Sequence, residues 1–166
     1  MPVVIRAATP ADAPAIAAIY DHHVRTGTAS FDNEGPSAAE WADKITSVTA
    51  RGWPFLVAEA DGEVAGHAYA TQFRDRAAYA RTCEDSIYVH PGHIGKGVGR
   101  ALIEQLIAAA RACGFEQMIA VIGGGEPASV ALHERLGFVE RGRMRAVGYK
   151  FGRRLDTVYL QLGLAD

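Results

Sequence analysis

The segment Val89-His90-Pro91-Gly92-His93-Ile94-Gly95-Lys96-Gly97-Val98-Gly99-Arg100 puts a strand end, a glycine loop and a helix start in immediate succession. Before it, Ser86-Ile87-Tyr88-Val89 is a short β-prone run that stops at His90-Pro91-Gly92. After it a long helix is predicted from about Gly97 to Ala112, stopped by Gly114. Glycines let backbone amides approach a ligand closely, and the first amides of a helix lack intrahelical acceptors. With the helix dipole they form an anion site, whose natural occupant is a phosphate or pyrophosphate. Lys96 and Arg100 add positive charge. A Walker A loop is excluded, because Lys96 is followed by Gly97 rather than Ser or Thr. A dinucleotide fingerprint fits poorly: Gly95, Gly97 and Gly99 are wrongly spaced and follow a hairpin rather than the first strand. A glycine turn that only reverses the chain remains open on spacing alone.

Outward from this loop the pattern is mixed α/β. Val3-Val4-Ile5 is a short apolar run, and Thr9-Pro10-Ala11-Asp12 carries cap, proline and acid in helix-start order. Ile16, Ile19, Tyr20 and His23 then form one helical stripe. Ser37-Ala38-Ala39-Glu40 spells a capping box ahead of Trp41, Ile45 and Val48, with a break at Gly52. Phe55–Ala58 and Val64–Tyr69 flank Asp61-Gly62, a strong hairpin signal. Met118–Ile122 reads as a buried strand, Pro127–Leu136 as a helix closed by Gly137, and Thr157–Leu162 as an alternating strand. No repeat or linker divides the chain, so residues 1–166 are expected to form one domain.

Composition narrows the function classes. The chain has 166 residues, 49% hydrophobic and 22% charged, which excludes disorder and collagen. Seventeen Lys+Arg against 19 Asp+Glu leave a net charge of −2, too little positive charge to make nucleic acid an expected partner. Charges such as Glu104 and Arg111 interrupt the longest apolar stretch, so no membrane association is expected. Met1-Pro2-Val3-Val4-Ile5-Arg6 does not resemble a secretory leader, and a cytoplasmic location is expected. Cys83 and Cys113 match no CxxC spacing and read as buried free thiols. His90 and His93 lie close in sequence, with Cys83 upstream and His22-His23 elsewhere. Zinc-motif spacing is absent, however, and no metal is expected.

The loop resembles motif A of the GNAT superfamily of N-acetyltransferases, whose Arg/Gln-x-x-Gly-x-Gly/Ala segment wraps the pyrophosphate of acetyl-CoA. Ile94 stands where that motif has Arg or Gln, which leaves the phosphate to backbone amides. The resemblance narrows to phosphinothricin and methionine sulfoximine or sulfone acetyltransferases and covers almost the whole chain. It is carried by Val57-Ala58-Glu59, Asp61 to Gly66, Ala78-Tyr79, Glu84 to Val89, Ala120-Val121-Ile122-Gly123, Leu132 to Phe138 and Arg141 to Gly152. It implies an α/β (α+β) GNAT fold. That fold has a central mixed, mostly antiparallel sheet flanked by helices, with the glycine pyrophosphate loop after the fourth strand.

The resemblance also implies a chemistry. Acetyl transfer from a thioester needs an unprotonated amine, a donor for the tetrahedral oxyanion and a proton for the departing thiolate. Glu84 is implied as the general base, with Asp85 the weaker candidate because alternation turns it to the other face. The Val89 amide, with Tyr88 beside it, is implied at the oxyanion. His133 holds the place where many members carry a thiolate-protonating tyrosine, and imidazole can serve that role near neutral pH. Acetyl-CoA would be held by Tyr88, Val89, Gly95, Lys96, Gly97, Val98, Gly99, Arg100, Ser129 and His133. Glu126 replaces the asparagine common before Ser129. Phe31, Arg74, Arg76, Tyr79 and Glu84 would hold the substrate, the two guanidinium groups matching a carboxylate and a phosphinate or sulfone oxygen.

The expected activity is therefore acetylation of the α-amine of phosphinothricin, methionine sulfoximine or sulfone, or a similar small amino acid. Neither cysteine sits like a nucleophile, which points to direct attack in a ternary complex. The family implies a homodimer. Other amines (polyamine, aminoglycoside or peptide N-terminus) and a non-catalytic acyl-CoA sensor are the alternatives.

Overall fold

The computed structural model describes residues 2–165. Seven strands form one sheet: β1 (Val4–Ala7), β2 (Phe55–Ala60), β3 (Glu63–Gln72), β4 (Thr82–Val89), β5 (Gln117–Gly123), β6 (Val139–Lys150) and β7 (Arg153–Gly163). Their spatial order is β1-β2-β3-β4-β5-β7-β6. Every neighbouring pair is antiparallel except β4 and β5. The helices are α1 (Ala13–Thr26), α2 (Ala38–Ala50), α3 (Val98–Ala112) and α4 (Pro127–Arg135). This is the mixed, mostly antiparallel arrangement that the family resemblance implies.

Local chemistry explains the boundaries. The Asp12 carboxylate accepts from the Thr9 amide at 2.8 Å, but Pro10–Asp12 form a 3₁₀ turn and α1 proper begins one residue later. The Ser37–Glu40 capping box forms in both directions, at 3.1 and 3.2 Å. Asp61 and Gly62 both have positive φ, as a two-residue hairpin turn with the twist of its strands requires. β6 has no counterpart in the sequence reading. Val139 to Val147 are all exposed, with Glu140, Arg141, Arg143 and Arg145 among them, so the edge strand carries no alternating pattern of burial.

Two cores lie on opposite faces of the sheet. α1 and α2 bring Ile16, Val24, Trp41 and Ile45 against Phe55 and Val57. α3 brings Val98, Leu102, Ile103 and Leu106 against Ala68, Met118 and Leu160. Each such fully buried aliphatic side chain contributes roughly 1.5–3 kcal/mol, which anchors α3 and the loop before it. Cys83 is buried in this second core. Cys113, expected to be buried, is instead exposed at the C-terminal end of α3.

β4 and β5 pair over only three residues, Thr82, Cys83 and Glu84 against Gln117, Met118 and Ile119, and then separate. Parallel strands that lose their ladder need something else to satisfy their amides. The site is built around this split.

Candidate active site

The register along β4 decides which backbone groups face the split. Phe73 N donates to Thr82 O at 2.9 Å and His90 N to Ala65 O at 2.8 Å, with an unbroken β3–β4 register between them. Even-numbered residues of β4 are thus bonded to β3, and the N–H groups of Asp85, Ile87 and Val89 point toward β5. Beyond Glu84 no residue of β5 pairs with them. Val89, expected as the oxyanion donor, has its amide on this side. Its carbonyl accepts from His23 Nε2 on α1 at 2.7 Å, a contact that the sequence reading did not foresee. Burial holds His23 below its usual range, consistent with a neutral imidazole donating through Nε2.

Behind the split lies the glycine loop. Pro91–His93 form a 3₁₀ turn, Gly95 and Gly97 have φ of 79° and 81°, and Gly97 is the N-cap of α3. Only glycine adopts those angles without strain, and at the cap it brings no side chain to occupy the first amides of the helix. Val98, Gly99 and Arg100 therefore present open N–H groups. The Val98 side chain itself is core, packed beneath β3, so only its backbone is placed to meet an anion. Lys96, Arg100 and Ile94 are exposed, and Arg100 Nε is held by Glu104 at 2.7 Å.

A cavity of about 290 Å³ opens in the split, lined among others by Phe31, Asp32, Glu84, Asp85, Ser129 and His133. Glu84 and Asp85 point to opposite faces of β4, as alternation requires, yet both border the cavity because the sheet is open beside them. Burial, followed by the charge of Asp85, raises the Glu84 carboxyl above the usual carboxylate range against the pull of Arg74 and Lys44. A carboxylate so poised can take a proton from an ammonium group near neutral pH.

His133 is almost fully buried, and both of its ring nitrogens are engaged. Nδ1 lies 2.7 Å from Ser129 O, and Nε2 lies 2.7 Å from Asp85 Oδ2. Burial pulls the imidazole down, but the adjacent Asp85 charge and these hydrogen bonds together raise it. Asp85 is the weaker base candidate on sequence. Its partner lies 48 residues away on α4, so only the tertiary structure pairs them. Glu126 caps α4, accepting from Ala128 N at 3.1 Å and Ser129 N at 2.8 Å. The Ser129 amide is therefore taken, which leaves its side chain for the cavity.

Another wall of the cavity is the segment between α1 and α2, which packs against Gly123 at the end of β5. Tyr20 Oη bonds Ser30 Oγ at 2.8 Å and also the Asp32 carboxylate, while Lys150 Nζ donates to Ser30 O at 2.8 Å. Phe31 lies across Gly123 and Gly148, close enough that neither has room for a side chain. Nothing in the sequence marks Tyr20, Asp32 and Lys150 as site residues, since Lys150 reaches this loop from 120 residues away.

The remaining substrate residues are placed differently from expectation. Residues 73–80 turn outward beyond the end of β3, with a 3₁₀ turn at Ala77–Tyr79. Arg74 lies at the cavity rim, stacked over Phe73 at 4.1 Å, with Nη1 4.0 Å from Glu84 Oε1. Arg76 is exposed, and Tyr79 packs edge-on against Phe73 at 5.7 Å. None of Arg74, Arg76 and Tyr79 lines the cavity itself.

Comparison with known proteins agrees with this geometry. The acetyltransferase (GNAT) family model matches residues 16–138. A phosphinothricin N-acetyltransferase of Alcaligenes faecalis is 50% identical over 151 residues, covering 90% of this chain and 77% of that protein. An L-methionine sulfoximine/L-methionine sulfone acetyltransferase of Salmonella typhimurium is 40% identical, covering 98% of this chain and 95% of that protein. The crystal structure of a GNAT phosphinothricin acetyltransferase from Sinorhizobium meliloti, in complex with AcCoA, superposes with a TM-score of 0.96 at 46% identity, covering 99% of this chain and 90% of that one. With the split sheet, the glycine loop and the family model in agreement, the chain belongs to the GNAT family of acetyltransferases.

Proposed function

We propose that this protein transfers the acetyl group of acetyl-CoA to the α-amine of phosphinothricin, methionine sulfoximine or sulfone, or a similar small amino acid. The observation that carries this reading is the meeting of three groups at one cavity: the raised Glu84 carboxyl, the Asp85–His133 pair and the free amides of β4. The pyrophosphate would rest on the first amides of α3, where an anion is stabilised by the helix dipole. The pantetheine arm would continue the β ladder along Ile87 and Val89, placing the thioester at the Val89 amide.

Glu84 takes a proton from the substrate ammonium, directly or through water, and the free amine attacks the thioester carbon. The Val89 N–H stabilises the oxyanion, and the sulfur leaves with a proton supplied from the His133 side of the cavity. Attack is direct: the Cys83 thiol lies in the core, where burial pushes its pKa up, and Cys113 sits at the far end of α3. A homodimer also belongs to this reading. Edge strand β6 and the turn after it expose Met144, Val147, Tyr149 and Phe151, an apolar surface suited to a second copy. The described residues contain no helix long and apolar enough to cross a membrane, and a cytoplasmic location is part of the proposal.

A second reading rests on charge. Asp32, Glu84 and Asp85 line the cavity while Arg74 and Arg76 do not, a balance that also suits a polycationic amine. Thiol release from acetyl-CoA separates the two, measured against phosphinothricin, methionine sulfoximine, methionine sulfone, polyamines and an aminoglycoside, with acetyl-CoA binding followed in parallel. Turnover confined to the amino acids supports the first reading, turnover on polyamines the second, and binding without turnover a sensor. In Glu84→Gln, kcat at neutral pH should fall by about 10²–10³ with acetyl-CoA affinity unchanged. Equal losses in both would remove Glu84 as the base.

A further inference from the structure

We infer that Asp85 is a positioning residue for proton delivery, sharing one proton with His133 Nε2 in a buried pair that reprotonates the CoA thiolate. The inference rests on the acetyl-transfer reading above and adds a partner to it. Ser129 O accepts at Nδ1, so that nitrogen carries a hydrogen in every state that keeps the 2.7 Å contact. Nε2 faces a carboxylate oxygen at 2.7 Å, and two acceptors at that distance require a proton between them. The pair is therefore imidazolium with carboxylate, or imidazole with carboxylic acid, and holds the same single transferable proton either way. Both side chains are nearly inaccessible to solvent but border the reaction cavity, so the proton is kept close to the leaving sulfur.

The proton count closes. The substrate ammonium loses one proton to Glu84 before attack and a second as the amide forms. When the tetrahedral intermediate collapses, the C–S electron pair goes to sulfur and the thiolate takes the Nε2 proton. His133 then remains neutral with its Nδ1–H on Ser129, Asp85 remains ionised, and the second amine proton reloads the pair. The net products are amide, CoA thiol and one proton released to solvent.

Other ionisable groups surround the pair without replacing it. On β4, Cys83, Glu84 and Tyr88 all feel the charge of Asp85. Tyr20 of α1 and Asp32 also line the cavity, while β5 contributes only Val121, Ile122 and Gly123 to it. On α4, Glu134 and Arg135 are exposed, and the Phe138 ring closes the other side of His133 at 4.9 Å.

Asp85→Asn removes the acceptor that shares the Nε2 proton, and with it the charge that raises the His133 imidazole. The alkaline limb of the kcat–pH profile should then move down by about one pH unit or more, with kcat at pH 8 falling about tenfold or more and acetyl-CoA affinity held within about twofold. Asp85→Glu should restore much of the alkaline limb. Proton NMR of the wild-type protein gives a readout besides turnover: a strongly downfield imidazole N–H resonance, absent from His133→Gln and shifted or lost in Asp85→Asn. An alkaline limb unmoved in Asp85→Asn, or a wild-type spectrum without that resonance, overturns the inference. If the asparagine variant does not fold, the wild-type and Asp85→Glu spectra decide. If the wild-type protein acetylates no amine, the function reading fails while the spectrum still tests the shared proton.

Discussion

Replacing Gly148 by alanine tests whether the segment between α1 and α2 forms the substrate wall. Gly148 is buried on β6, and a methyl group built there would lie 2.5 Å from Cε2 and 2.7 Å from Cζ of Phe31. Carbon atoms settle at about 3.5–4.0 Å, so the ring must retreat by roughly 1 Å. Phe31 is 40% exposed and can swing toward solvent, which limits the cost to about 1–2 kcal/mol, or about 2–8 °C in Tm for a chain of this size. The catalytic effect should be larger than the stability effect. Displacing a cavity wall by about 1 Å should lower kcat/KM for the amino acid about 10- to 100-fold while leaving acetyl-CoA affinity unchanged, because the glycine loop before α3 does not touch Phe31. Steady-state kinetics on both substrates, isothermal titration with CoA and a thermal melt supply the numbers. Gly123→Ala crowds the same wall more severely: its methyl would meet Phe31 Cε1 at 2.9 Å and also the backbone oxygens of Ala29 at 2.7 Å and Thr28 at 3.0 Å, which cannot rotate away, so its melt should fall further. An unchanged kcat/KM for the amino acid in Gly148→Ala, or an equal loss of CoA affinity, would refute Phe31 as part of the substrate wall.

The two arginines should separate. Arg74→Ala removes a cation 4.0 Å from Glu84, so the acid limb of kcat/KM should move to higher pH, whereas Arg76→Ala should stay within about twofold of wild type; pH profiles of both variants decide. At the glycine loop, Lys96→Ala should raise the acetyl-CoA KM more than Arg100→Ala does, since Arg100 is already engaged by Glu104; matching salt titrations check that the loss is electrostatic. His133 is raised in the folded state, so its contribution to stability is complete below the unfolded value of about 6.5 and is lost as pH rises through the folded pKa. Melts at pH 6 and pH 9 should show that decline in the wild type and a smaller one in Asp85→Asn.

What the sequence determined is local. The capping box at Ser37–Glu40, the Asp61-Gly62 hairpin, the period of α3 and the glycines at 95 and 97 each act within a few residues, and each forms as read. Together with the family resemblance they were enough for the fold, the glycine loop and the candidates Glu84, Val89 and His133. β6 escaped because an exposed edge strand shows no alternation, and Cys113 because burial at a helix end depends on what packs over it. What only the tertiary structure decided is which distant groups meet. The early parting of β4 from β5 opens both faces of β4 onto one cavity and so brings Asp85 to His133 on α4. Tyr20 and Lys150, from opposite ends of the chain, fix the loop that carries Phe31 and Asp32. The outward turn after β3 leaves Arg76 in solvent and Arg74 at the rim, although the two are neighbours in sequence. Hydrogen bonds between segments tens of residues apart leave no periodic trace in the chain, because their geometry exists only once the sheet has assembled and the helices have packed on it.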